Sequence, residues 1–166
     1  MSNFDTNSGA VISDCGKYRY RLWRVWDRSK PLVGFCMLNP STADASVDDP
    51  TIRRLIGFAK SWGYGGFIVV NLFAMRTPKP VMLKTAADPV GPDNAKHLSE
   101  VAALVDTVIC AWGNHGKFAM ADKLAMACMH GKVTTKALHI NADGSPKHPL
   151  YIKGDAVPVP FDGGDA

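Results

Sequence analysis

The sequence predicts an α/β fold: one three-layer domain with a mainly parallel, four-stranded central sheet and an N-terminal strand hairpin. Three observations carry this. Short apolar runs without alternation recur at "LVGFCML", "FIVVNLF" and "TVICAWG", as in strands covered on both faces. Segments of helical periodicity separate them. At 166 residues the chain can build one substantial core, and neither a repeat nor an interdomain linker breaks it.

In order, "CGKYRYRLWRVWD" (Cys15 to Asp27) is aromatic-rich and reads as a strand. Lys17, Arg19 and Arg21 alternate with Tyr18, Tyr20 and Leu22, which predicts one basic face and one apolar face. "RSKP" turns the chain. The central strands are expected at Val33–Leu38, Phe67–Leu72, Val108–Ala111 and Ala137–Ile140. Between the first two, Asp49 can cap a helix, Pro50 suits its first position, and Gly63 suits its end. Ile52, Leu55, Ile56 and Ala59 share a face of that helix. "GPDNAKHLSEVAALV" and "KFAMADKLAMACMHG" predict two more helices. The tail from Asn141 is rich in Pro and Gly and reads as loop. One domain over residues 1–166 is expected, with 1–14 and 161–166 flexible.

Composition narrows the class. Apolar content of 46% with 20% charged residues is that of an ordinary globular protein, and no run nears the roughly 18 apolar residues of a membrane span. The first residues lack a basic region and an apolar stretch, so no secretory signal is expected. Cys15, Cys36, Cys110 and Cys128 form no CxxC pair; buried free thiols in a reducing cytoplasm are expected. A net charge of +4 permits an anionic partner. There is no GxGxxG and no GxxxxGKS. No cofactor, metal or membrane partner is expected. The loop carboxylates Asp44, Asp48 and Asp49 could hold a cation, but helix capping and solvation explain them better.

In such sheets ligands bind beyond the carboxyl ends of the strands. The residues expected there are Asn39-Pro40, Asn71, Trp112-Gly113-Asn114-His115 and His148-Pro149-Leu150. Each also has a plain structural reading. Asn39 suits a turn before proline. Asn71, an amide inside an apolar run, must find partners and could find them in backbone. His148 and its rival His115 could be surface histidines. Leu150 and Tyr151 could anchor the tail.

Four segments in order resemble the uracil-DNA glycosylase superfamily: "CMLNPS", "GFIVVNLFAMRT", "VICAWGNHGKFA" and "HPLYI". The whole pattern, over about residues 15 to 160, also resembles an uncharacterised bacterial and phage family, a domain of unknown function. The first resemblance implies a glycosylase-like α/β fold and a hydrolase of the N-glycosidic bond. Asn39 and His148 would be catalytic, one orienting water and the other donating to the departing base. Leu38, Ser41, Asn71 and Phe73 would hold the flipped base. Arg53, Arg54, Arg76 and Lys79 would contact DNA, and Leu150 would wedge into the stack. Lys17, Arg19 and Arg21 are further candidates for the phosphate track. Several positions depart from the pattern. Met37 replaces a glycine, Leu150 replaces a serine, and "NADGSPK" lengthens the approach to His148. Ser41 stands where the uracil-specific branch carries a tyrosine that screens out 5-methyl groups, leaving room for a 5-substituted pyrimidine. DNA or a nucleotide is the expected partner; a protein partner and the oligomeric state stay open. Two alternatives are an inert binder of nucleic acid or nucleotide, and a phage protein-interaction module on the same fold.

Overall fold

The computed structural model describes residues 7–163. Seven strands form one mixed sheet: β1 (Ser8–Ile12), β2 (Arg19–Val25), β3 (Leu32–Met37), β4 (Gly66–Asn71), β5 (Thr107–Cys110), β6 (Thr134–Ala137) and β7 (Val159–Pro160). Their spatial order is β1-β2-β4-β3-β5-β6-β7. The four inner strands β4-β3-β5-β6 are parallel, while β1, β2 and β7 join antiparallel. The sheet is therefore larger and more mixed than the four-stranded parallel sheet expected. The physical reason lies at its edges. A parallel block leaves two rows of unpaired backbone groups. The hairpin β1–β2 covers one row along β4, and β7 covers the other along β6.

Two further expectations shift. Ser8–Ile12, inside the stretch expected to be flexible, pairs with β2. Phe161, in the other such stretch, is buried, with its ring edge against Trp112. Residues 1–6 and 164–166 of those stretches lie outside the described residues. The fourth parallel strand occupies Thr134–Ala137, earlier than Ala137–Ile140. Beyond Ala137 the chain leaves the sheet and turns through Asn141–Ser145, with Ile140 bridging Pro146.

Three helices cover the sheet: α1 (Pro50–Ser61), α2 (Asn94–Ala102) and α3 (Ala121–Met129). Among the described residues no helix is long and apolar enough to cross a membrane. The start of α1 follows from its sequence. The Asp49 carboxylate accepts from the Ile52 N–H at 2.9 Å, and Pro50 sits where no donor is needed. Its end is a Schellman turn. Gly63 takes φ of +83°, the Tyr64 N–H reaches the Ala59 carbonyl, and the Gly63 N–H reaches that of Lys60.

Strand alternation divides the core in two. Val33, Phe35, Met37, Phe67 and Val69 face α1 through Leu55 and Phe58. Ile68, Val70, Cys36, Val108 and Cys110 face α2 and α3. Cys36 and Cys110 are free, buried register partners on β3 and β5, and burial pushes both thiols up.

The basic face expected on β2 is not a solvated one. All seven residues of β2 are buried. Arg24 donates to the Asp48 carboxylate and to the carbonyls of Trp23, Ala45, Asp44 and Val47. Arg21 donates to His97 Nδ1 at 3.0 Å and to Glu100 at 2.5 Å. The loop after β3 and helix α2 thus supply the acceptors that solvent was expected to supply.

Candidate functional site

The strand order reverses at β3, which pairs with β4 on one side and β5 on the other. Such a switch point leaves a crevice between diverging loops. A cleft of about 460 Å³ opens there, on the α1 side of the sheet. Met37, Leu38, Asn39, Val69 and Asn71 form its floor from β3 and β4. Thr51 and Ile52 come from α1, Trp112 to His115 from the turn after β5, and Lys147 to Tyr151 from the tail.

Asn39 lies two residues past β3, with its amide nitrogen tied to backbone. Nδ2 donates to the carbonyls of Thr77 at 2.8 Å and Pro40 at 3.0 Å. The plain reading of a turn asparagine is therefore true of its nitrogen. Among the described residues its oxygen accepts no hydrogen bond and is not one of the buried unpaired atoms, so an acceptor stays open at the cleft. Asn71 is 1% exposed, and its Nδ2 is buried without a partner. Among the described residues no backbone carbonyl pairs with this Nδ2. A buried unpaired amide donor costs about 1–3 kcal/mol, which a ligand acceptor would recover.

His148 precedes a short 3₁₀ turn (Pro149–Tyr151) and caps it through Nδ1, which accepts from the Leu150 N–H at 3.2 Å. In the neutral ring the proton then sits on Nε2, as a donor. Burial pulls its pKa below the ordinary value, with Asp49 acting weakly the other way. His97 is lowered too, by burial and then by Arg21, against Glu100 and Asp93. The unfolded chain takes up protons near pH 6.5, before the folded one does. The fold should keep this stability above that pH and lose it as pH falls through the window below it. A melting temperature that stays flat from pH 8 to pH 5 would contradict this assignment.

The structure brings together Leu38, Asn39, Ser41, Asn71, His148 and Leu150, all of which line the cleft, with His115 and Tyr151 beside them. Leu150 is 46% and Tyr151 73% exposed, so neither anchors the tail. Phe73 is not in the cleft. It is buried in the core and lines the neighbouring hollow with Pro78, Pro80, Leu83 and Phe118. The turn carrying His115 depends on a close approach. A Cβ on Gly116 would stand 2.4 Å from the Trp112 ring and 2.7 Å from Leu72.

The basic candidates separate. Arg53 and Lys79 are exposed, and Arg53 touches the Asp48 carbonyl at 3.2 Å. Arg54 instead clamps the tail, donating to the Pro149 and Ile152 carbonyls and lying 4.9 Å from the Phe58 ring centroid. Arg76 is half-buried and donates to the Gly16 carbonyl at 3.3 Å. The three loop aspartates have structural partners. Asp44 accepts from the Ser46 and Val47 N–H groups, Asp48 pairs with Arg24 at 2.9 Å, and Asp49 caps α1. Among the described residues no group of three His, Cys, Asp or Glu side chains is arranged to hold a metal ion.

Sequence reasoning missed Thr77 and Lys147, and it placed Arg19 on a phosphate track rather than in the cleft wall. Arg19 was expected on an outward face but is 3% exposed, with Nη1 donating to the Ala43 carbonyl at 2.9 Å. Its signal lay in the aromatic residues on either side of it.

Neither a curated protein nor a solved structure matches the chain. A family model described as "Protein of unknown function (DUF1643)" matches residues 19–150, which span the strands of the parallel block and every cleft element up to Leu150. The chain belongs to the DUF1643 family.

Proposed function

We propose that this protein handles a nucleobase in the cleft, in the manner of the uracil-DNA glycosylases that its motifs resemble. One observation carries the reading: Asn39, Asn71 and His148, far apart in sequence, line a single cleft at the carboxyl edge of the parallel strands. In the excision reaction, water adds to the sugar's anomeric carbon as the bond to the base nitrogen breaks. The base leaves with the bonding electron pair and then takes up a proton.

The open oxygen of Asn39 can accept from that water and orient it. An amide is too weak a base to take the water's proton, so its help is positional. His148, neutral with its proton on Nε2, can donate to the oxygen where the departing base gathers charge. Asn71 offers an unpaired buried donor to a pyrimidine edge. Ser41 leaves space beside the 5-position, and Leu150 and Tyr151 are exposed at the rim where a wedge would stand. The route to DNA would run along Arg53 and Lys79.

A second reading, an inert binder with the same pocket, is favoured by the state of Asp49. Among the described residues it is the one carboxylate lining the cleft, and it is engaged as the helix cap. The test uses single- and double-stranded oligonucleotides bearing uracil, 5-hydroxymethyluracil or bulkier 5-substituted pyrimidines, followed by release of free base. The enzyme reading expects release, with bulkier pyrimidines tolerated better than by a uracil-specific enzyme. Binding without release would establish the inert binder. Neither release nor binding across the panel would end both readings.

A further inference from the structure

One wall of the cleft carries a charge that base excision does not use. Arg19, at the start of β2, is 3% exposed. Its Nη1 is fixed on the Ala43 carbonyl, while its Nε is buried with no partner. Among the described residues Arg19 makes no ion pair. Asp49 and Asp44 are near enough to favour its charge, against Arg76 and Arg24, but Asp49 is held by the Ile52 N–H. Burial lowers the Arg19 pKa to about 10, which leaves it protonated at neutral pH. A buried cation without a counterion is costly, because its desolvation is not offset by a partner. The fold tolerates such a group where something outside the chain completes it.

The surroundings say what that something must offer. The other unpaired buried atom lining the cleft is also a donor, Nδ2 of Asn71. The charged side chains lining it are Arg19 and Lys147 against Asp49. Two orphan donors and an excess of positive charge call for an acceptor-rich anion. The Nη1 tether selects its geometry. It leaves the Nε–Nη2 edge of the guanidinium, which pairs two oxygens side by side, without a protein acceptor.

We propose that the cleft binds a small ligand through an oxyanion, a carboxylate or a phosphate, gripped by the Nε–Nη2 edge of Arg19. This goes beyond the nucleobase reading and stands without it. A phosphodiester within a DNA strand fits the position poorly. Strand phosphates would track the exposed Arg53 and Lys79, whereas Arg19 is 3% exposed and tied to the Ala43 carbonyl. The ligand's anion enters the cleft and its remainder faces Asn39, Asn71 and His148.

Calorimetric titration of the intact protein with matched pairs tests this. The pairs are uridine 5′-monophosphate against uridine, orotate against uracil, and benzoate against benzyl alcohol. Inorganic phosphate is titrated alone. The anionic member of at least one pair should bind about 10- to 100-fold more tightly than its neutral partner. Preference for the monophosphate identifies a phosphate ligand; preference for orotate or benzoate identifies a carboxylate. Arg19→Gln should erase the difference. Because Arg19 also tethers the Ala43 loop, a second readout avoids the variant. The Nε–H resonance of Arg19 in the wild-type protein, followed by NMR, should move on saturation with the preferred anion. Charged and neutral partners binding alike, an unmoved Nε–H resonance, or no binding by any of the compounds would overturn the proposal. The two readings fail separately. Benzoate binding without uridine or uracil binding supports the oxyanion and sinks the nucleobase. Uridine and uracil binding as tightly as their anionic partners, with no benzoate binding, does the reverse.

Discussion

Asn39→Ala should keep its ligand and lose its turnover. On the excision reading its open oxygen orients the attacking water, a contact that strengthens as the water becomes nucleophilic in the transition state. Base release in single turnover should fall by about 100- to 1,000-fold while the dissociation constant changes little. Asn71→Ala should fail differently. On the same reading it removes a donor that would meet the base before and during reaction, so affinity should drop about 10- to 100-fold and discrimination among pyrimidines should blur. Asn39→Asp separates catalysis from loop support. It keeps an acceptor oxygen but loses the donors that hold the Thr77 and Pro40 carbonyls. Turnover retained in Asn39→Asp supports water positioning. If Asn39→Ala loses binding and turnover together, the residue is a loop tether and the excision mechanism loses its water-holding group.

The second large effect concerns Arg21. Its side chain is fully buried and bound to Glu100, whose side chain is 42% exposed, and to His97. Glu100→Ala should destabilise the fold by about 3 kcal/mol, because it strands a buried guanidinium. Arg21→Met, which removes the charge and keeps much of the volume, should cost less than Glu100→Ala. Urea titration of both variants decides it. If Arg21→Met is the more damaging change, the ion pair stabilises the fold in its own right and the desolvation argument fails here.

These two arginines also mark where the sequence stops speaking. Helix α1 is legible because its signals are local: Asp49-Pro50 at one end, Gly63 at the other. The buried strands are legible because Val33, Phe35, Phe67 and Val69 have no polar neighbours to send outward. The alternation of Arg19 and Arg21 with aromatics is a local signal as well. Its meaning depends on what covers the strand. That covering comes from Ala43, Asp48 and Glu100, which nothing in the strand itself announces. The same holds for β1, whose Gly9 fits only because a Cβ there would stand 2.2 Å from the Trp23 ring. It holds for β7 too, two residues long and defined by the edge of β6. At the site, the strand ends were readable by position. The burial of Arg19 and the displacement of Phe73 out of the cleft arise from loops folding back, and they required the third dimension.

The tail that supplies His148 is pinned to α1 by Arg54, and this sets a timetable for the protein's birth. Arg19, Asn39 and Asn71 leave the ribosome long before residues 147–152. Until those last residues emerge, Arg54 has no carbonyls to grasp and one side of the cleft is missing. Co-translational folding can therefore raise most of the sheet early, but it cannot produce a half-length chain that already acts on its ligand. Contacts that join residue 54 to residue 152 close a long loop late, which slows the final step relative to the local helices. A nascent chain carrying the first five strands would be folded in part and functionally silent.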